Sequence, residues 1–171
     1  ALNRWPAESE APDLAPASLQ EQIESWQQLL QPAVNDGVYR CGFARNQSAY
    51  DRASAAMSDA LEELERCLRQ EGPWLCGATL TLADVRLFPT LIRWEAVYAP
   101  LFGCSARPLW MLPELWKWRQ RFMALPGVGA TCDAAAWRHD YFGALFPLNP
   151  GGIVPKGPKL STLVNSTIPL P

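Results

Sequence analysis

Trp74-Leu75-Cys76-Gly77-Ala78-Thr79-Leu80-Thr81-Leu82-Ala83-Asp84-Val85 is the stretch on which the fold turns. Thr81 followed three residues later by Asp84 resembles a capping box with Asp in the Glu position. The Thr81 side chain can accept from the Asp84 amide. The Asp84 carboxylate can reach back to the Thr81 amide, where it also suits the positive end of a helix. Leu80 and Val85 stand where a hydrophobic staple would close the first turn. Beyond the cap, Leu87, Phe88, Leu91, Ile92, Trp94, Val97 and Tyr98 leave the helix apolar nearly all round. That pattern predicts a buried rod ending at Tyr98. Pro89 within it predicts a kink, because proline lacks the amide proton the helix needs.

The flanks read as further helices. Leu19, Ile23, Trp26 and Leu30 share one helical face, so a first helix is expected from near Ser18 to the turn at Asn35-Asp36-Gly37. A short segment, 38–43, follows. A long helix is expected over about 46–70, with Tyr50, Ala53, Met57, Ala60, Leu61, Leu64 and Leu68 as its apolar stripe and its charges mostly elsewhere. Gly72-Pro73 ends it. Downstream, Pro113 opens a helix to about Leu125, and a last helix covers about 131–142. Prolines and glycines from Pro147 onward predict an extended tail. Pro6, Pro12 and Pro16 make residues 1–16 a linker or arm. The expectation is an all-α domain over 17–146, with a tail over 147–171. No strand alternation and no internal repeat is visible.

Composition narrows the function. The chain has 171 residues, 49% of them apolar and 19% charged, with a net charge of -2. That suits one globular domain and offers no basic face for nucleic acid. No run approaches the roughly 18 apolar residues of a membrane span. The start, Ala1-Leu2-Asn3-Arg4-Trp5-Pro6, has neither an initiator Met nor a signal-peptide core, so the chain is expected to begin after something removed or left out. The five cysteines are odd in number and widely spaced, without Cys-x-x-Cys. They predict no disulfide framework, no metal site and a reducing cytoplasm. The eight tryptophans suit large core fillers, or else an aromatic-walled pocket.

Several segments carry a resemblance. Gly77 to Asp84 fits Gly-x-x-x-Thr-x-x-Asp, which resembles the start of the central helix in glutathione transferase C-terminal domains. Asn35-Asp36-Gly37-Val38-Tyr39-Arg40-Cys41-Gly42-Phe43-Ala44 resembles a segment of the glutathionyl-hydroquinone reductases, the xi class of that family. The stretch 84–98 and the tail Asn149-Pro150-Gly151-Gly152-Ile153-Val154-Pro155-Lys156-Gly157-Pro158 are similar to the same class. The resemblance runs from about Pro12 to Pro158. It implies a glutathione transferase C-terminal-like helical bundle. It also implies a partner domain of thioredoxin type, absent from this chain, that carries a Cys-Pro-Trp motif and most of the glutathione site.

The implied reaction removes glutathione from a glutathionyl-hydroquinone. A cysteine thiolate in the absent domain attacks the glutathione sulfur, the hydroquinone leaves, and a second glutathione resolves the mixed disulfide. Such chemistry needs a stabilised thiolate and a proton for the leaving carbon. A tyrosine hydroxyl can serve both needs. Of the four tyrosines, Tyr50 fits the core stripe, whereas Tyr39, Tyr98 and Tyr141 lie outside it. By resemblance, Tyr39 is the proton donor or acceptor. Tyr98 and Tyr141 are hydrogen-bond donors that lower the pKa of the distant cysteine and contact the quinol. Position alone leaves each open as an ordinary half-buried tyrosine. Cys41, beside Arg40, is the tempting local nucleophile but reads as structural, and the lone His139 reads as a local hydrogen-bonder.

The family's Tyr-Tyr pair with Ser-His close behind is here Tyr141-Phe142-Gly143-Ala144-Leu145. The lost hydroxyl and the lost polar ring bear on substrate range. The implied co-substrate is glutathione, the implied partners are a small aromatic quinol conjugate and a second copy in a homodimer, and no metal is expected. Two competing readings are a non-catalytic helical module for protein association and an ordinary conjugating glutathione transferase.

Overall fold

The computed structural model describes residues 12–104 and 107–164. It is helical, and no named strand occurs among the described residues. In order, the helices are α1 (Gln20–Leu30), α2 (Gly37–Gly42), α3 (Gln47–Glu71), α4 (Leu82–Ile92), α5 (Ala99–Phe102), α6 (Pro113–Met123), α7 (Ala134–Ala144) and α8 (Leu160–Leu163). The buried stripes on α1, α3, α4 and α6 meet in one core, which is what amphipathic helices must do to hide their apolar faces. α4 lies between α1 and α6, α3 packs on α2 and α6, and α7 packs on the turn just after α4.

The start of α4 is built more heavily than a helix cap. Thr81 and Asp84 form the capping box. Both are fully buried. Asp84 Oδ2 accepts from the Thr81 amide at 3.1 Å and from the Thr81 hydroxyl at 3.3 Å. Its Oδ1 accepts from the Leu75 amide at 3.0 Å and from Trp118 Nε1 at 2.8 Å. One carboxylate thus ties the loop before α4, the first turn of α4, and α6. Gly77 lets that loop turn, since its φ of 76° lies in the left-handed region. Residues expected to form a free arm also take part: the Leu14 carbonyl accepts from the Leu82 amide at 2.8 Å. The rest of the predicted arm, 1–11, lies outside the described residues.

A second buried carboxylate does the same for α6. Glu65 on α3 accepts from the Glu114 and Leu115 amides at 2.9 Å, so it serves as the cap that Leu112 cannot provide. Tryptophans fill the core, as the first of the two readings holds. Trp74, Trp94, Trp116, Trp118 and Trp137 are all buried. The Trp94 and Trp118 ring nitrogens find acceptors.

Three segments depart from the sequence expectation. Residues 37–42 are helical, not a turn followed by a short segment. Gly37, Val38 and Cys41 bury themselves against the rest of the core, and that burial outweighs the poor helix propensity of glycine. The predicted rod does not stop at Tyr98. It breaks at Arg93, four residues after Pro89, where the Arg93 side chain donates to the Pro89 carbonyl at 2.7 Å. It then continues through a wide π-type turn, Trp94–Tyr98, into α5. The tail is extended only in part: Leu160–Leu163 makes one helical turn, and Leu163 is buried. Burial of that leucine anchors a segment whose composition reads as open chain.

Candidate active site

α2, α5 and α7 converge on one cluster of aromatic side chains. Tyr39 comes from the middle of α2, Tyr98 from the last position of the wide turn, and Tyr141 from the end of α7. Their hydroxyls form a triangle. Tyr39 and Tyr141 are 2.9 Å apart, Tyr98 and Tyr141 3.0 Å, and Tyr39 and Tyr98 3.3 Å. Residues separated in sequence by 59, 43 and 102 positions thus share one hydrogen-bonded ring.

The triangle has an inside and an outside. Tyr98 is buried at 4% exposure, while Tyr39 is open at 37%. Each phenol carries one proton and two lone pairs. In a closed ring each donates once and accepts once. If Tyr39 turns its proton outward, its oxygen can accept from both neighbours. A phenolate formed at Tyr39 would then be held by two donors, the arrangement that makes proton transfer reversible. Burial pushes the Tyr39 phenol above its ordinary value, and the nearby Arg93 charge opposes that. Tyr98 is pushed well above the ordinary range, first by burial and then by hydrogen bonds with Tyr141 and Tyr39. Both phenols therefore stay protonated through neutral pH.

A stability consequence follows from Tyr98. The unfolded chain releases its phenol protons near pH 10, whereas the folded chain keeps this one. The folded state then binds more protons, so stability falls as pH rises past 10. The slope is about 1.4 kcal/mol per pH unit for one such group. Urea midpoints measured from pH 9 to 11 should fall less steeply in Tyr98→Phe than in the parent. Equal slopes would show that Tyr98 is not the group retained.

Sequence reasoning missed the rings and charges that surround the triangle. Phe102, at the end of α5, packs against all three tyrosines. The Arg93 guanidinium lies 4.7 Å from the Trp137 ring centroid. A surface groove of about 630 Å³ opens between α2 and α3, edged by Arg40, Arg45 and Arg52. Phe43 belongs to this groove and also packs edge-on against Phe102, so it joins the groove to the aromatic cluster. Nothing in the pattern of the sequence marks Phe102, which lies at a helix end between Leu101 and Gly103.

Four of the five cysteines are buried, and Cys132 is partly exposed. Cys41 is buried, and burial raises its thiol. Cys67 is pushed up to about 11 and Cys104 to about 12, in both cases mainly by burial. None of these three is poised as a thiolate at neutral pH. Tyr50 packs against the core and donates to the Gly103 carbonyl at 2.6 Å. His139 is exposed and faces its neighbour Asp140, at 3.3 Å. Phe142, which stands in place of a second tyrosine, is buried. No group of three or more metal-ligating side chains occurs among the described residues. No helix there is long and apolar enough to cross a membrane.

Residues 47–121 match the family model of the glutathione S-transferase C-terminal domain. The chain is 37% identical over 146 residues to the glutathionyl-hydroquinone reductase PcpF of Sphingobium chlorophenolicum, covering 85% of this chain and 46% of that protein. The glutathione-bound structure of YqjG, a glutathione transferase homolog from Escherichia coli K-12, superposes with a TM-score of 0.84 at 36% identity. That match covers 87% of this chain and 48% of the other. The glutathione S-transferase Xi of Phanerochaete chrysosporium gives a TM-score of 0.82 at 36% identity, over 86% and 47%. Residues 47–121 are a glutathione S-transferase C-terminal domain. The chain's similarity is to the xi class and to the glutathionyl-hydroquinone reductases, as the segments around Tyr39 and in the tail imply. It spans about half the length of the curated relatives it matches. The described residues supply helices and a tyrosine cluster, and burial raises the thiols of the four buried cysteines.

Proposed function

We propose that this domain is the quinol-site half of a glutathione-dependent reductase that removes glutathione from glutathionyl-hydroquinones. The observation that carries the proposal is the triangle of phenol hydroxyls with one open vertex. In the proposed reaction, a cysteine thiolate of a thioredoxin-like domain attacks the glutathione sulfur. The sulfur–carbon bond breaks, a mixed disulfide forms, and the electron pair stays on the ring carbon of the hydroquinone. Tyr39 delivers the proton that this carbon takes up. A second glutathione thiolate then attacks the mixed disulfide, releasing glutathione disulfide and restoring the cysteine. Tyr98 and Tyr141 donate to the Tyr39 oxygen as charge develops there, and their hydroxyls favour the thiolate that approaches the same vertex. Tyr98 and Tyr141 offer the quinol its polar contacts.

Glutathione enters this scheme as co-substrate. A reducing compartment such as the cytoplasm suits the five cysteines. A homodimer assembled through this helical domain completes the proposal.

Trp137 lies one helical turn before Tyr141, so tryptophan fluorescence can report on the cleft. Titration with a hydroquinone should give saturable quenching that weakens in Tyr39→Phe. Silence across the titration, together with dimerisation in sedimentation, would favour the protein-association module instead.

A further inference from the structure

Hydrogen bonds alone do not fix a triangle of phenols. Each ring can swing about its own side-chain bonds and still find a partner. A fourth ring touches all three. Phe102 is buried at 4% exposure. Its ring centroid lies 5.3 Å from that of Tyr39, 5.6 Å from Tyr98 and 6.3 Å from Tyr141. The contacts with Tyr39 and Tyr141 are edge-to-face, at interplanar angles of 64° and 84°, a favourable geometry for aromatic pairs. Among the described residues it is the one ring besides the tyrosines themselves that touches all three.

Phe102 reaches this position only because position 42 has no side chain. A Cβ on Gly42 would stand 1.9 Å from Phe102 Cδ1, 2.7 Å from its Cγ and 2.8 Å from its Cβ. Those atoms belong to the base and near edge of a rigid ring, so the ring as a whole would have to move. Gly42 does not have a positive φ, so the glycine answers to close approach and not to backbone conformation. Gly42 and Tyr39 share α2, so the helix that presents the open phenol also carries the notch for the ring behind it.

We propose that Phe102, seated in the notch at Gly42, is the positioning residue of the tyrosine triangle and sets the orientation from which Tyr39 transfers its proton. The catalytic part of this inference rests on the reductase reading. The positioning part does not, and the two can fail separately.

Gly42→Ala is the direct test. Alanine is a better helix former than glycine by about 1 kcal/mol, so helix propensity cannot account for a loss. Tyrosine ionisation is followed at 295 nm, with circular dichroism on the same samples to report folding. In the parent, Tyr98 keeps its proton past pH 10. In Gly42→Ala and in Phe102→Met, at least one retained phenol should titrate a pH unit or more earlier while the fold persists. A folded variant with the parent's titration curve would overturn the proposal. Loss of fold in both variants would make the pair a plain core contact and overturn it as well.

In the enzyme with its nucleophile domain, Phe102→Met should lower kcat about tenfold with KM little changed, the pattern of an interaction used in the transition state. A shifted titration with unchanged turnover in Tyr39→Phe would refute the reductase reading and leave the positioning role standing.

Discussion

Asp84→Ala should lower the melting temperature by about 6–20 °C, from a loss of about 3–5 kcal/mol. A simple helix cap is worth about 0.5–2 kcal/mol, and the excess has a specific source. Removing the carboxylate leaves the Leu75 amide and the Trp118 ring nitrogen without their acceptor. Both residues are fully buried, so water cannot replace it. The Thr81 amide loses its partner in the same step. Part of the loss is offset, because burial raises the Asp84 carboxyl above its ordinary value and a buried charge disappears with it.

The sign of that shift is testable too. A raised carboxyl means that the unfolded chain releases its proton first as pH rises. This group therefore lowers stability between its unfolded and folded values, and acidification through that window relieves the cost. Asp84→Asn, which keeps one acceptor, should lose less than Asp84→Ala at neutral pH. Activity per folded molecule should survive both changes, as Asp84 touches none of the three phenols. Normal stability with lost activity would contradict the structural role.

Tyr39→Phe should do the opposite: leave the fold nearly intact and remove most of the turnover. Tyr39 is the open vertex of the triangle, so in the proposed mechanism its ring makes the contacts and its hydroxyl makes the chemistry. General acid catalysis contributes about 10²–10⁴-fold. In the enzyme with its nucleophile domain, kcat on a glutathionyl-hydroquinone should drop by that order, with little change in KM. Tyr98→Phe and Tyr141→Phe should each cost less, about tenfold, since either leaves one donor on the Tyr39 oxygen. Burial holds the Tyr39 phenol above its ordinary value, so its protonation should impose no slope on the rate between pH 6 and 9. Near-parental turnover in Tyr39→Phe would remove it from the mechanism.

The scaffold was legible wherever a local pattern encodes it. The Thr81–Asp84 box, the long stripe from Tyr50 to Leu68 and the proline at 113 are each read within a few residues, because helix starts and amphipathic faces are local physics. The helix at 37–42 was hidden because its glycines argue against it locally and only burial argues for it. The tyrosines could be singled out by resemblance, yet their meeting could not. It depends on α2, the wide turn at Trp94–Tyr98 and α7 converging, and no spacing along the chain records that. Phe102 and Gly42 were invisible for the same reason: a notch and the ring that fills it are defined only by each other. Asp84 lies between these cases. Its bond to the Thr81 amide is local and was expected, while Trp118, 34 residues away, adds a bond that only the packing of α6 on α4 creates.

The wide turn at Trp94–Tyr98 has a consequence for how the chain can vary. In an α-helix each residue advances the facing by about 100°, so one residue gained or lost rotates everything beyond it by that angle. A turn closed across five residues absorbs one such step before Tyr98 and α5. The bearing of Tyr98 and Phe102 toward Tyr39 is therefore a matter of phase, fixed by the number of residues between Thr81 and Phe102. Substitutions along that run trade packing for packing. A deletion larger than that one step would turn the phenol and its supporting ring away together, with every residue of the cluster still present.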